Sequence, residues 1–277
     1  MAAHIDLTDV KLNYASIADA RKMSGLRLVL GACAIPGPWR ESCKAVFHTK
    51  RIPYTSVVTS GDGFSDLDFG ANGADAELLA WTGQSSAPVA IWNNERPRIS
   101  WVDQLHLAEL LNPDPPLIPT SIEDQITMFG LAQLIVGEGG FGWTTRIAIL
   151  HHALTSMRLG DPDRTLWLHV GEKYLYTAEL GAAAPTRMAK IVATMHQRIE
   201  AQKIAGSHYC IGDHLSAIDL YWACFAAVLQ PLSAALCPMG EWPYSNPDAQ
   251  VQAVLSPLLL EHRDYIYEKH LELPIVF

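Results

Sequence analysis

The sequence predicts an α+β chain in two parts, with a small sheet-bearing part first and an all-helical part second. Three observations predict it. Residues 26–58 read as strand, loop, helix and strand. Asn112–Thr120 packs four prolines into nine residues, which rules out a helix and marks a boundary. Every periodic segment after that boundary has helical spacing.

Bulk properties narrow the function classes. The chain has 277 residues, 49% hydrophobic and 18% charged, as a folded chain should. A net charge of −9 argues against non-specific nucleic-acid binding. The first residues, Met1–Asp6, lack the charged-then-apolar pattern of a signal peptide. The apolar run 220–237 is broken by Gln230 and Pro231 and is too short for a membrane span. The five cysteines are odd in number and contain no CxxC, so neither a disulfide framework nor a zinc site is expected and a reducing compartment is. None of the eleven histidines has metal-ligand spacing; the adjacent His151 and His152 point to different helix faces.

Taken in order, residues 1–25 read as an extension with a short helix, Ser16–Met23, ending at Gly25. Leu26–Leu30 is a buried strand. The loop that follows, Gly31–Trp39, holds two prolines and two glycines. A helix runs from Trp39 to His48 with Pro38 at its first turn, and a second strand lies within Arg51–Val58. The loop at the carboxyl end of the first strand is where open sheets bind ligands, and the helix N-terminus beside it favours an anion or a thiolate. Residues 61–73 are a polar loop and Asp75–Trp81 a short helix. A strand begins at Pro88, where a proline is allowed. Asn93–Glu95 turns into a fourth strand at Arg96–Ile99. Ser100 and Asp103 form a capping pattern that opens a helix to Leu111.

Past the boundary the expected helices are Ser121–Val136, Trp143–Leu159, Thr165–Thr177, Pro185–Ala205, Ser216–Leu229 and Ser256–His270. Gly137–Gly142 breaks the first from the second and, without a preceding strand, is a poor phosphate loop. Residues 231–250 are a proline-rich insertion. The strongest local signal is Gly212-Asp213-His214-Leu215-Ser216-Ala217-Ile218-Asp219-Leu220. Ser216 and Asp219 form a capping box, Ile211 and Leu215 supply apolar residues before it, and the helix beyond is apolar all round and hence buried.

That capping string resembles the capping segment of the glutathione transferase superfamily. Lys50-Arg51-Ile52-Pro53-Tyr54 and Ala87-Pro88-Val89 add to the resemblance, which covers residues 26–230. It implies a thioredoxin-like domain (β-α-β-α-β-β-α) over residues 26–112, a linker at 113–120 and an all-helical domain over 121–277. It implies a cis peptide before Pro88, with the Ala87 backbone meeting the cysteinyl part of glutathione and Ser86 beside it. A Glu-Ser pair that holds the γ-glutamyl group in the family matches Asp103-Gln104 here; a shifted register would put Trp101-Val102 there instead. The family's thiol-activating Tyr, Ser or Cys has one counterpart between Leu30 and Pro38, namely Cys33. Either Cys33 acts, or backbone N–H groups over Gly37–Arg40 stabilise the thiolate, with Cys33 a small buried hydrophobe. Trp39 is expected to line the glutathione site, and Trp143 and Arg146 to edge an electrophile pocket. Ser216 and Asp219 are structural.

The resemblance therefore implies a cytoplasmic homodimeric glutathione transferase-like enzyme that joins or exchanges the glutathione thiol with a small apolar electrophile. Conjugation, thiolytic ether cleavage and dehalogenation all belong to that class. Glutathione is the co-substrate, and no metal, nucleic acid or membrane is expected. The alternatives are a non-catalytic binder of glutathione or apolar ligands, and a Cys33-based thiol transferase.

Overall fold

The computed structural model describes residues 14–30, 37–58, 76–233, 235–237 and 248–275. The elements run α1 (Ile17–Ala20), β1 (Leu26–Val29), α2 (Pro38–Thr49), β2 (Tyr54–Val57), α3 (Ala76–Thr82), β3 (Val89–Trp92), α4 (Trp101–Leu111) and α5 (Ile122–Val136), then α6 (Phe141–Ser156), α7 (Arg164–Lys173), α8 (Ala178–Ile204), α9 (Ala217–Ala226), α10 (Ala249–Gln252) and α11 (Pro257–His270).

All four residues of β1 are buried, as a central strand covered on both faces requires. It pairs parallel with β2, Leu26 opposite Tyr54 and Val29 opposite Val57. It pairs antiparallel with β3, Leu26 opposite Trp92 and Val29 opposite Val89, giving the order β2-β1-β3. Alternation along the strands divides the core. Leu26, Leu28 and Ala90 face the large cluster shared with the helices, while Val29, Val57, Val89 and Ile91 meet Leu78 of α3 and Ile17 and Ala20 of α1. The stretch expected as an extension thus covers one sheet face, and Ala15 bridges Val57 at the β2 edge. With α1 through α4 on a small mixed sheet and only helices after it, the architecture is a thioredoxin-like domain followed by a helical one.

Two expectations need correction. Arg96–Ile99 forms no fourth strand; its pairing is one bridge, Ala90 N–H to Arg98 O at 3.0 Å and Arg98 N–H to Ala90 O at 2.8 Å. Pro97 has no N–H to extend a ladder. The helix expected to start at Pro185 begins a full two turns earlier. Thr177 caps it, accepting from Leu180 N–H at 3.2 Å, and Pro185 sits inside. The missing donor at Pro185 loosens one rung without ending the helix.

The buried axis of the helical part is α9. All ten of its residues are buried, and it packs against α2, α5 and α11. The proline-rich stretch before α5 is held from the sheet side. Fully buried Lys50 donates through Nζ to Asn112 O, Pro115 O and Glu109 Oε1, each at 2.8 Å. Glu109 Oε1 also accepts from Leu117 N–H at 2.8 Å, and Leu117 O accepts from Ala217 N–H at 2.8 Å, joining the connection to the start of α9. Among the described residues no helix is long and apolar enough to cross a membrane.

Candidate functional site

A cavity of about 460 Å³ lies between the sheet edge and the helices. One wall comes from the loop before β3 and the start of α4. The Ala87–Pro88 peptide is cis, and Ser86, Ala87 and Pro88 all line the cavity. Gln104, 4% exposed, fastens this loop to α4: its Nε2 donates to Pro88 O at 3.3 Å and to Arg98 O at 3.2 Å. Next to it, Ser100 caps α4, its Oγ accepting from Asp103 N–H at 3.1 Å. The first N–H groups of that helix therefore sit at the cavity wall with their positive end, which favours a carboxylate.

The opposite wall is aromatic. Trp39 on α2 donates through Nε1 to Val136 O at 2.8 Å and meets Phe225 edge-on at 5.2 Å. Gly142 makes this possible: a Cβ there would lie 2.3 Å from the Phe225 ring and 2.9 Å from Trp39. Trp143 donates through Nε1 to Tyr174 O at 3.1 Å and packs on the Tyr174 ring at 4.8 Å. Trp101 and Tyr221, also in the lining, meet edge-on at 5.6 Å.

Two titrating groups of this lining, Cys43 and Tyr221, are held neutral by burial. Burial raises the Cys43 thiol and the Tyr221 phenol well above their ordinary ranges, so neither supplies an anion to the cavity.

The sequence-predicted residues separate into three sets. Trp39, Ser86, Ala87, Pro88, Gln104 and Trp143 meet around this one cavity. Gly37, Asp103 and Arg146 are not in its lining. Gly37 is the N-cap of α2 and lies beneath the Arg40 side chain. Asp103 turns outward to Arg96 at 3.0 Å, and that hydrogen bond is the main reason its carboxyl titrates below the ordinary range. Arg146 lies one turn beyond Trp143 on α6. Cys33 falls outside the described residues. Sequence reasoning missed Ser100, Trp101, Tyr174 and Tyr221 as lining groups. Ser100 was recognisable as a cap; what it faces follows from how α4 crosses the sheet.

Ser216 and Asp219 do not line this cavity and lie buried in the core. Ser216 N–H and Oγ donate to Asp219 Oδ2 at 2.9 and 2.8 Å. Cys210 N–H and His262 Nε2 reach Asp219 Oδ1 at 2.6 and 3.0 Å. Burial alone would raise the Asp219 carboxyl; the hydrogen bonds from His262, Cys210 and Ser216 outweigh it and hold the pKa below the ordinary value. The Cys210 sulfur lies 3.6 Å from His262 Nε2, so a Cys, an Asp and a His converge there, with the carboxylate already saturated by protein donors.

No protein family model and no curated protein matches the sequence. Solved structures do match. A glutathione S-transferase from Methylobacillus flagellatus with glutathione bound is 14% identical, with 88% of this chain and 96% of that one covered at a TM-score of 0.60. One from Methylobacterium radiotolerans in complex with glutathione sulfonate is also 14% identical, covering 89% and 92% at 0.56. The β-etherase LigF from Sphingobium sp. strain SYK-6 is 12% identical, covering 87% and 99% at 0.53. At these identities the likeness is one of fold: the chain has the glutathione transferase fold over nearly its whole length.

Proposed function

We propose that the chain is a glutathione transferase-like enzyme that binds glutathione against the cis-Pro loop and transfers its thiol to an aromatic electrophile. The observation that carries this reading is the two-sided cavity. A polar wall of cis Ala87–Pro88 and the Ser100-capped helix N-terminus faces a wall of Trp39, Trp143 and Tyr174. The Ala87 backbone suits the cysteinyl peptide of glutathione, and Ser100 with the first α4 N–H groups suits the γ-glutamyl carboxylate. The thiol points toward the start of α2, whose first-turn N–H groups have no side-chain cap. That positive end lowers a thiol pKa. In the reaction the thiolate sulfur bonds the electrophilic carbon, and a halide or phenolate leaves with the bonding pair. The proton given up by the thiol is released to solvent or taken by the leaving group.

Glutathione is the co-substrate in this reading, with no metal step. The exposed Leu110, Ile122 and Ile126 of α4 and α5 offer an apolar face for a homodimer. The four described cysteines are free and buried, in keeping with a reducing cytoplasmic setting. A second reading, binding without turnover, is supported by the lack of Tyr and Ser in residues 31–37.

Calorimetric titration with glutathione sulfonate tests the site. Micromolar to millimolar binding is expected, with Ser100→Ala weakened about tenfold by loss of a hydrogen bond to a charged group; no binding by the wild type overturns the reading. Thioether formation with 1-chloro-2,4-dinitrobenzene then separates the two readings. Turnover that survives Cys33→Ala leaves thiolate activation to the α2 backbone; loss of turnover with binding retained assigns it to Cys33.

A further inference from the structure

A second cavity, about 650 Å³, opens at the other end of α2 and shares no lining residue with the first. Trp39 faces the first cavity and His48 the second; nine residues of helix put them about 13 Å apart. The second cavity lies where the end of α2, the proline-rich connection, the loop before α9 and the end of α11 meet. Such junctions are common places for small-molecule sites.

Its rim holds an unusual arginine. α2 ends in a Schellman motif: Arg51 N–H donates to His48 O at 2.8 Å and Ile52 N–H to Phe47 O at 3.0 Å. The position between Lys50 and Ile52 requires a left-handed backbone, which glycine enters freely and arginine does not. Arg51 occupies it at φ +55°. Arg51 lines the cavity, and among the described residues its guanidinium has neither an acceptor nor a carboxylate partner. The chain thus carries a strained residue whose charge is used by nothing else described in the fold.

The rest of the lining suits a flat ligand. The Tyr54 and Tyr209 rings, Ile52 and Leu215 give apolar walls. Tyr209 is held by its hydroxyl to His270 Nε2 at 3.1 Å, and burial lowers the His270 pKa, so that imidazole is neutral at pH 7. Among the other ionisable groups of the lining, Asp213 lies against His214, and Lys269 pairs with Glu268 at 3.1 Å. The carbonyl ends of α2 and α11 also point here. Those of α2 at Phe47 and His48 are capped by the two backbone N–H groups of the motif.

We propose that this second cavity binds a small aromatic carboxylate, with the Arg51 guanidinium as its counter-charge and the Tyr54 and Tyr209 rings as its walls. A guanidinium pairs with a planar carboxylate through two parallel N–H donors, which a neutral ring of the same shape cannot exploit. The site does not depend on the first cavity binding glutathione.

The test is calorimetric titration of 1-naphthoate into the full chain, wild type and Arg51→Gly, with 1-naphthalenemethanol as the neutral control. Glycine is the natural occupant of this backbone position, so the variant should melt at or above the wild-type temperature and misfolding cannot account for lost binding. One site is expected, at least tenfold weaker in Arg51→Gly and at least tenfold weaker for the alcohol. Methyl NMR of the wild type should show the shifts at Ile52 and Leu215. Absence of wild-type binding, equal affinity in Arg51→Gly, equal affinity for the alcohol, or methyl shifts confined to other residues would each overturn the proposal.

Discussion

Two of the Ser-x-x-Asp caps in this molecule do different things. At Ser216–Asp219 the carboxylate is wholly buried and saturated by four donors from the cap, Cys210 and His262. At Ser100–Asp103 the carboxylate faces outward to Arg96, and the serine end meets the cavity. The local chemistry is the same; burial decides whether the box is a keystone of the core or the rim of a binding site. A buried carboxylate cannot be released without stranding its donors, whereas an exposed one can be lost at little cost.

The comparison breaks first at Asp219. Asp219→Ala should lower unfolding stability by about 3–5 kcal/mol, because His262 and two backbone N–H groups lose their buried acceptor; urea denaturation measures it. A loss below about 1 kcal/mol would mean water replaces the carboxylate. Smaller, and readable in the wild type, is an acid effect. The folded Asp219 pKa lies below its unfolded value of about 3.9, so the stability it adds is full above that pH and drains away as pH falls through the folded value. The urea midpoint should therefore drop on going from about pH 5 to about pH 3, more steeply than in Asp219→Asn. Ser100→Ala comes next, costing about 1 kcal/mol as a lost cap, with its larger signature in glutathione sulfonate affinity. Smallest is Asp103→Asn, whose effect on the melting temperature should vanish in about 1 M salt as the outward pair with Arg96 is screened.

What the sequence made legible is mostly what neighbours along the chain decide. The Ser216–Asp219 box and the helix periodicity are of this kind; the cis peptide before Pro88 came from the family resemblance. The helix start at Thr177 was legible too, but the proline at 185 was read as a first-turn residue when the cap eight residues earlier had already set the start. What the sequence hid is set across distance. His262 approaches Asp219 from 43 residues away. Tyr174 reaches the cavity because α7 packs on α6. Asp103 and Ser100 belong to one helical turn, so only the crossing of α4 over the sheet tells which of them meets the cavity. Gly142 reads in the sequence as part of a break between helices; its role comes from two aromatic rings contributed by other helices.

Lys50 carries a consequence of another kind. Its ammonium has three N–H bonds and three acceptors, and none of its surface is open. An acylating reagent needs a bare amine with a lone pair, so this one stays silent while the surface lysines react. It becomes reactive only when the proline-rich connection peels from α2. The slow phase of amine labelling, read at this single residue by mass spectrometry, is therefore a clock for the peeling of the proline-rich connection and the end of α4 from α2 in the native protein.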